Sequence, residues 1–259
     1  MSAVKIDLNK HGVACVTLNR PEVHNAINED MIRELTDCFV MLGRHLDVRV
    51  ITLRGEGKSF CGGGDLNWMK RAADQSEAEN HADAVRLAKM FATVNTTPKP
   101  VVGLIHGAAL GGGTGLAACC DIVIAHTNSA FGLTEARLGL IAATISPFVI
   151  ARIGASQARR YMLTAERINA SAAKSIGLVH EVSDTPDEAV KPIIEAILGN
   201  GPEAVADSKA LIRDVTGKVM DDALLDMTAQ RIAARRASSE GREGIAAFLE
   251  KRKPGWIDV

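Results

Sequence analysis

Apolar and polar residues alternate along KIDLNKHGVACVTLNRP, which predicts two short strands around His11 and Gly12. Val13, Cys15 and Thr17 share one face, and Pro21 ends the second strand. The period then lengthens. NAINEDMIRELTDCFVMLGRH sets Met31, Leu35, Cys38 and Leu42 at helical spacing, the pattern of an amphipathic helix. VRVITLRGEG is a β-branched strand ending in glycines, and a polar stretch from Asp74 to Asn80 precedes a second helix over residues 82–94, closed by TTPKP. PVVGLIHG is again an apolar strand, GAALGGGTGL opens a helix, and DIVIAH returns to strand. This recurrence predicts an α/β architecture with ligand sites where strands give way to helices. From Ala196 the pattern turns almost wholly helical, through PEAVADSKALIRDV, MDDALLDMTAQRIAARRAS and SEGREGIAAFLEKR. A core over residues 1–195 with a helical region over 196–259 is the division expected.

Composition narrows the classes. The chain has 259 residues, 47% of them hydrophobic, and a formal net charge of -1 with no long run of Lys and Arg, which argues against nucleic acid as a partner. No stretch reaches the roughly 18 to 20 apolar residues of a membrane span, and MSAVKIDLNKHG lacks a leader's basic start and apolar run. A soluble, intracellular protein is therefore expected. Five scattered cysteines with no C-x-x-C pair are expected to be reduced core thiols rather than disulfides or metal ligands.

Two glycine clusters follow strands, KSFCGGGDLNWM and GAALGGGTGL. A phosphate loop would need a glycine where Thr52 stands, and Leu116 occupies the last glycine position of the best G-x-G-x-x-G alignment. A nucleophile elbow fails as well, because Cys61 follows GKSF and Ala158 ends GASQA. Plain turn chemistry remains one reading. The other is that backbone N–H groups at a helix start, freed of side chains, converge on one oxygen as an oxyanion hole. Glu135, in SAFGLTEARLGL, is open to two readings: a solvated glutamate paired with Arg137 or Arg152, or a general acid/base whose proton affinity an apolar surround has raised.

Taken in order, LNRPEVHNAIN, SFCGGGDLNWM, HGAALGGGTGLAACCDIVIA, FGLTEARLGL and LTAERINASAAKSIGLVHEV resemble the crotonase superfamily, the enoyl-CoA hydratase and isomerase family, over essentially the whole chain. The resemblance implies a spiral of β-β-α turns with a helical C-terminal region that mediates trimers, often paired into hexamers, in a cytoplasmic enzyme. It implies an acyl-CoA substrate, with CoA as part of that substrate and no metal or redox cofactor. By motif position, Gly64 and Gly112 would donate their N–H groups to the thioester oxygen. CoA would lie along Ala26 and along Gly62, Gly63, Gly64, Asp65, Leu66 and Asn67.

The family's hydratases carry two glutamates. Glu135 matches the second, but Gly115 stands at the first. A lone carboxylate suits a Δ3,Δ2-enoyl-CoA isomerase, whereas ISPFVIARIG, ARRYMLTAERI and SEGREGIAAFLEKRKPGW resemble the bacterial methylglutaconyl-CoA hydratase branch of leucine breakdown and its isohexenylglutaconyl-CoA relative. Hydration of a branched, carboxylated enoyl-CoA is the expectation, with space beside Gly115 taking the acyl group. A non-catalytic acyl-CoA binder is the reading from a different class.

Other residues have plainer expectations. His106 and His126 fill strand ends, Asp65 bonds a helix-start N–H, and Trp68 and Met69 either line the acyl pocket or pack. Arg231, Arg235, Arg236, Lys251, Arg252 and Lys253 form a solvated helix face or meet CoA phosphates.

Overall fold

In chain order, the computed structural model, which describes residues 2–257, begins with strands β1 (Val4–Leu8) and β2 (Val13–Leu18), helix α1 (Glu29–Arg44), strand β3 (Val50–Gly55) and helices α2 (Leu66–Asp74) and α3 (Glu77–Thr96). Next come β4 (Val101–Ile105), β5 (Ala108–Leu110), α4 (Gly112–Cys119), β6 (Ile122–His126), β7 (Ala130–Gly132), α5 (Ser146–Thr164), β8 (Arg167–Asn169), α6 (Ala170–Ser175) and β9 (Glu181–Ser183). Helices α7 (Pro186–Ala189), α8 (Lys191–Leu198), α9 (Pro202–Val215), α10 (Asp222–Ala237) and α11 (Ser239–Leu249) complete the chain. Positions 1 and 258–259, the outer limits of the two expected regions, lie outside the described residues.

The strands form two stacks. One sheet runs β1-β2-β3-β4-β6-β9, parallel except for the β1-β2 hairpin, and the other runs β5-β7-β8. A bridge between Cys61 and Ala109 extends the second stack toward the first glycine loop. Each turn therefore leaves a strand in one stack, crosses to the other and returns through a helix, giving the expected α/β spiral. On β2, Ala14, Val16 and Leu18 enter the core, while the predicted face of Val13, Cys15 and Thr17 is half-buried on the other side. In α1 all four residues of the predicted stripe, Met31, Leu35, Cys38 and Leu42, are buried, and Asn28 caps the helix by accepting the Met31 N–H at 3.0 Å.

One boundary differs from the sequence expectation. The polar stretch from Asp74 to Asn80 joins two helices, with α3 starting at Glu77 rather than near Ala82. Ser76 and Glu79 cap each other's backbone there, the Glu79 carboxylate accepting the Ser76 N–H at 2.9 Å and the Ser76 hydroxyl accepting the Glu79 N–H at 3.3 Å. A capping box lets a polar segment start a helix without apolar periodicity. Position 196 falls inside α8, whose Ile193, Ile194, Ile197 and Leu198 pack on Val50, Val102, Leu104 and Ile124 of the outer sheet face. That helix belongs to the sheet's second, smaller core.

The C-terminal helices carry their charge in pairs. Arg235 meets Glu203 and Asp207, Arg231 meets Asp214, and Arg252 meets Glu243. Arg49 ties this region to the sheet by donating to the carbonyls of Leu198, Asn200 and Trp256.

All five cysteines are free, and burial pushes the thiols of Cys38, Cys61 and Cys120 up to about 12. A thiol-specific chromogenic reagent at pH 8 is expected to label half-buried Cys15 in the native protein and all five thiols after denaturation.

Candidate active site

The first glycine loop is positioned from residues 20–27. Asn25 is fully buried; its side-chain oxygen accepts the Arg20 N–H at 2.8 Å, and its amide donates to the carbonyls of Glu56 and Ser59 at 2.9 and 2.8 Å. The Ile27 N–H then donates to the Gly63 carbonyl at 2.7 Å, and the Asp65 N–H to the Ile27 carbonyl at 2.9 Å. In extended chain the residue between two such bonds turns its own N–H to the opposite side. Gly64 is that residue, and among the described residues its N–H has no acceptor.

Asp65 locks this loop into α2. One carboxylate oxygen accepts from the N–H groups of Asn67 and Trp68 at 2.9 and 3.2 Å, and the other accepts from Arg20 at 2.8 Å. Burial opposes ionisation, yet the Arg20 guanidinium and the two N–H groups hold the carboxyl below the usual carboxylate range. Both oxygens are thus engaged in holding the loop. Replacing Asp65 with Ala is expected to cost at least ~1 kcal/mol in a denaturant titration at pH 7. The deficit relative to wild type shrinks as pH falls through the depressed folded-state value, because the stabilisation is present above the unfolded pKa and lost below it.

The second loop enters α4. Gly111 takes φ 50°, a left-handed value that favours glycine, and its N–H donates to the Gly132 carbonyl at 2.7 Å. At Gly113 a Cβ would stand 2.3 Å from the Cys61 carbonyl oxygen. The Thr114 hydroxyl, 2.6 Å from the Ala109 carbonyl, accepts the Gly132 N–H at 3.2 Å and so straps α4 to β5 and β7. Gly112 is the first residue of the helix, where backbone N–H groups have no intrahelical partner, and among the described residues its N–H has no acceptor. The Cys61 N–H donates to Ala108 and the Leu110 N–H donates to Cys61, both at 3.0 Å, which lays the two loops side by side.

Glu135 follows β7 after Leu133 and Thr134 and opens a turn of 3-10 helix, Glu135–Leu138. It forms no ion pair with Arg137 or Arg152; Arg152 instead donates to the carbonyls of Ala118, Cys120 and Asp121 at the far end of α4. Of the two readings of this glutamate, the solvated, paired one is therefore set aside. Its Oε2 is shielded from solvent and has no hydrogen-bond partner among the described residues, and its Oε1 lies 3.2 Å from where a Gly111 Cβ would be. Burial pushes its carboxyl above the usual range, with its own backbone N–H acting the other way. An unpartnered carboxyl of raised proton affinity beside two free N–H donors is suited to moving a proton while negative charge gathers on a nearby oxygen.

The space expected beside Gly115 is filled. A Cβ there would stand 2.2 Å from Ile145 Cγ2 and 3.2 Å from the Phe91 ring. The first-glutamate position is occupied by apolar side chains from α3 and the start of α5, and room for an acyl branch does not come from this glycine.

Of the positions assigned to CoA by motif, Ala26, Gly62, Gly64, Asp65, Leu66 and Asn67 line one cavity of about 640 Å³. Gly63 turns with φ 105° against the Leu110 carbonyl, and Gly112 follows Leu110, a wall residue, by two positions. His24 and Ser59 line the same cavity and were missed from sequence; His24 Nδ1 lies 3.1 Å from the Ser59 hydroxyl. The available signal was LNRPEVHNAIN, read for Ala26 alone. Met69 reaches 3.3 Å from where a Gly64 Cβ would be, and Trp68 packs on the main core. His106 donates to the Gly57 carbonyl and His126 accepts the Asn128 N–H, as expected of strand-end residues.

Comparison with known proteins gives the family. The sequence profile described as enoyl-CoA hydratase/isomerase matches residues 9–259. A crystal structure of an enoyl-CoA hydratase from Shewanella pealeana superposes with a TM-score of 0.96 at 42% identity, covering 98% of this chain and 96% of that one. An enoyl-CoA hydratase of Alternaria alternata is 36% identical over 95% of this chain and 81% of its own length. The crotonyl-CoA hydratase of Syntrophomonas wolfei is 34% identical over 95% of this chain and 94% of its own. With the spiral fold, the paired glycine loops and a profile match spanning nearly the full length, the chain belongs to the enoyl-CoA hydratase/isomerase family and is an enzyme of it.

Proposed function

We propose that the chain hydrates an enoyl-CoA, with Glu135 as the acid/base and the N–H groups of Gly64 and Gly112 as the oxyanion hole. Glu135 takes a proton from water as the water oxygen bonds to C3. The C2–C3 π electrons move onto the thioester oxygen, where the two N–H groups hold the charge. The charge then returns through C2, which receives the proton from Glu135. The observation that carries this reading is the Glu135 carboxyl next to Gly111, its Oε2 shielded and, like the N–H groups of Gly64 and Gly112, without a hydrogen-bond partner among the described residues. Losing one such donor typically costs about 3 to 4 kcal/mol of barrier.

The acyl group we favour is branched and carboxylated, such as 3-methylglutaconyl. Its support is the likeness of ISPFVIARIG, ARRYMLTAERI and SEGREGIAAFLEKRKPGW to the methylglutaconyl-CoA hydratase branch. Steady-state rates with 3-methylglutaconyl-CoA and crotonyl-CoA test it. A higher kcat/KM for the branched substrate is expected, and a higher value for crotonyl-CoA overturns it.

One observation favours a second reading. Ile145 fills the space that a carboxylate side chain at Gly115 would enter, so a single base suits proton transfer between C4 and C2, the Δ3,Δ2-isomerase reaction. A non-catalytic binder would leave both reactions at background. The same proposal extends to a homotrimer or dimer of trimers, supported by exposed Val219, Met220, Leu225, Phe248 and Leu249 in the C-terminal region, and to the cytoplasm, supported by five free thiols. Light scattering after size exclusion reads the assembly.

A further inference from the structure

The residues around α4 place two unlike groups on one helix face. The Gly115 N–H donates to the Gly111 carbonyl at 3.0 Å, so these glycines lie one turn apart on the same side. Glu135 abuts the first and Ile145 the second. The Phe91 ring spans the interval, 3.6 Å from where a Gly112 Cβ would be and 3.2 Å from that of Gly115, with Ile27 Cδ1 2.8 Å from the Gly112 position. Phe148 backs Phe91 at a ring separation of 6.3 Å. Beyond Glu135 this wall is apolar, and a water lodged at Gly115 would lack the polar partners that hold buried waters.

Ile145 cannot readily retreat. Its carbonyl accepts the N–H groups of Phe148 and Val149 at 3.1 and 3.0 Å, which fixes the backbone at the entry to α5. The side chain is β-branched, 2% exposed and stiff at χ1. We infer that Ile145 is a specificity-determining residue, setting the limit on acyl bulk on the side of the reacting carbons that faces Glu135. The inference builds on the reading of Glu135 and Gly112 as the reacting centre. It adds the residue that decides which acyl groups reach that centre.

Titration calorimetry with CoA, butyryl-CoA and phenylacetyl-CoA tests this without turnover, because neither acyl group has a C2–C3 double bond to hydrate. In Ile145→Ala, phenylacetyl-CoA should gain about 10-fold or more in affinity relative to butyryl-CoA, as expected for methylene-sized changes in an apolar pocket. Ile145→Val should move the same ratio part of the way, and free CoA should bind all three proteins alike. Ile145→Val carries the test if the Ala variant does not fold. An unchanged ratio, or a change shared by free CoA, overturns the inference. Failure of the underlying reading appears separately, as full turnover by Glu135→Gln.

Discussion

Replacing Glu135 with Gln is expected to lower kcat by about 10²- to 10⁴-fold, the contribution typical of a positioned general acid/base. Gln keeps the shape and the apolar contacts but cannot take a proton from water or return it to carbon. CoA binding should be unaffected, since Glu135 is not among the residues lining the 640 Å³ cavity. The pH profile carries the second half of this expectation. The base must be ionised to act, and burial has raised its proton affinity, so wild-type kcat/KM should fall on the acid side at a pH above the ordinary glutamate value. Stability should move oppositely. A carboxyl whose folded-state pKa is raised costs the native state nothing while protonated in both states, and costs progressively more as pH rises from the unfolded to the folded value. Glu135→Gln should therefore melt higher than wild type at pH 8, with the difference closing below the normal carboxylate range. Equal melting temperatures at pH 8 would contradict the unpartnered carboxyl.

Adding a side chain at Gly115 is expected to have the second-largest effect, on stability. Gly115→Ala places a Cβ 2.2 Å from Ile145 Cγ2 and 2.9 Å from its Cβ, with Phe91 at 3.2 Å. Overpacking of this kind costs about 1 to 3 kcal/mol. In a domain of this size each kcal/mol lowers Tm by about 2 to 4 °C. Gly115→Glu adds a charge in the same apolar surround, so restoring the family's first glutamate should yield little folded protein rather than a faster enzyme. The cause can be isolated with Ile145→Ala, which alone costs about 2 to 5 kcal/mol as a cavity. Combined with Gly115→Ala it should destabilise less than the sum of the two, by at least ~1 kcal/mol, because the methyl enters the space that Ile145 left. Additive costs would mean the two residues do not share that space.

The site was legible in the sequence where chemistry and local backbone coincide. Glycines after strands marked both loops, and two of them have a local need for glycine, Gly111 through its left-handed φ and Gly113 through its close approach to Cys61. Glu135 was visible as a carboxylate among apolar residues. Its two readings could not be separated locally, since they depend on where Arg152 goes, and Arg152 goes to the C-terminal carbonyls of α4. The strands and α1 followed from periodicity. The start of α3 did not, because a capping box rather than an apolar stripe begins it. Least legible was the meaning of Gly115. Read alone it suggested room, but Ile145, distant in sequence, fills the gap, and only the packing of α4 on α5 reveals the contact. The same holds for the bond between Arg20 and Asp65, which joins two motifs that sequence reading treated separately.

The most direct measurement follows the conjugated thioester absorbance when wild-type protein and Glu135→Gln are each mixed with an α,β-enoyl-CoA, and again with its β,γ-isomer. Hydration by Glu135 predicts loss of absorbance from the α,β-substrate with wild type, a rate at least ~10²-fold slower with Glu135→Gln, and no rapid gain from the β,γ-isomer. Unchanged absorbance with wild type, equal rates for the two proteins, or a rapid gain from the β,γ-isomer would contradict the account.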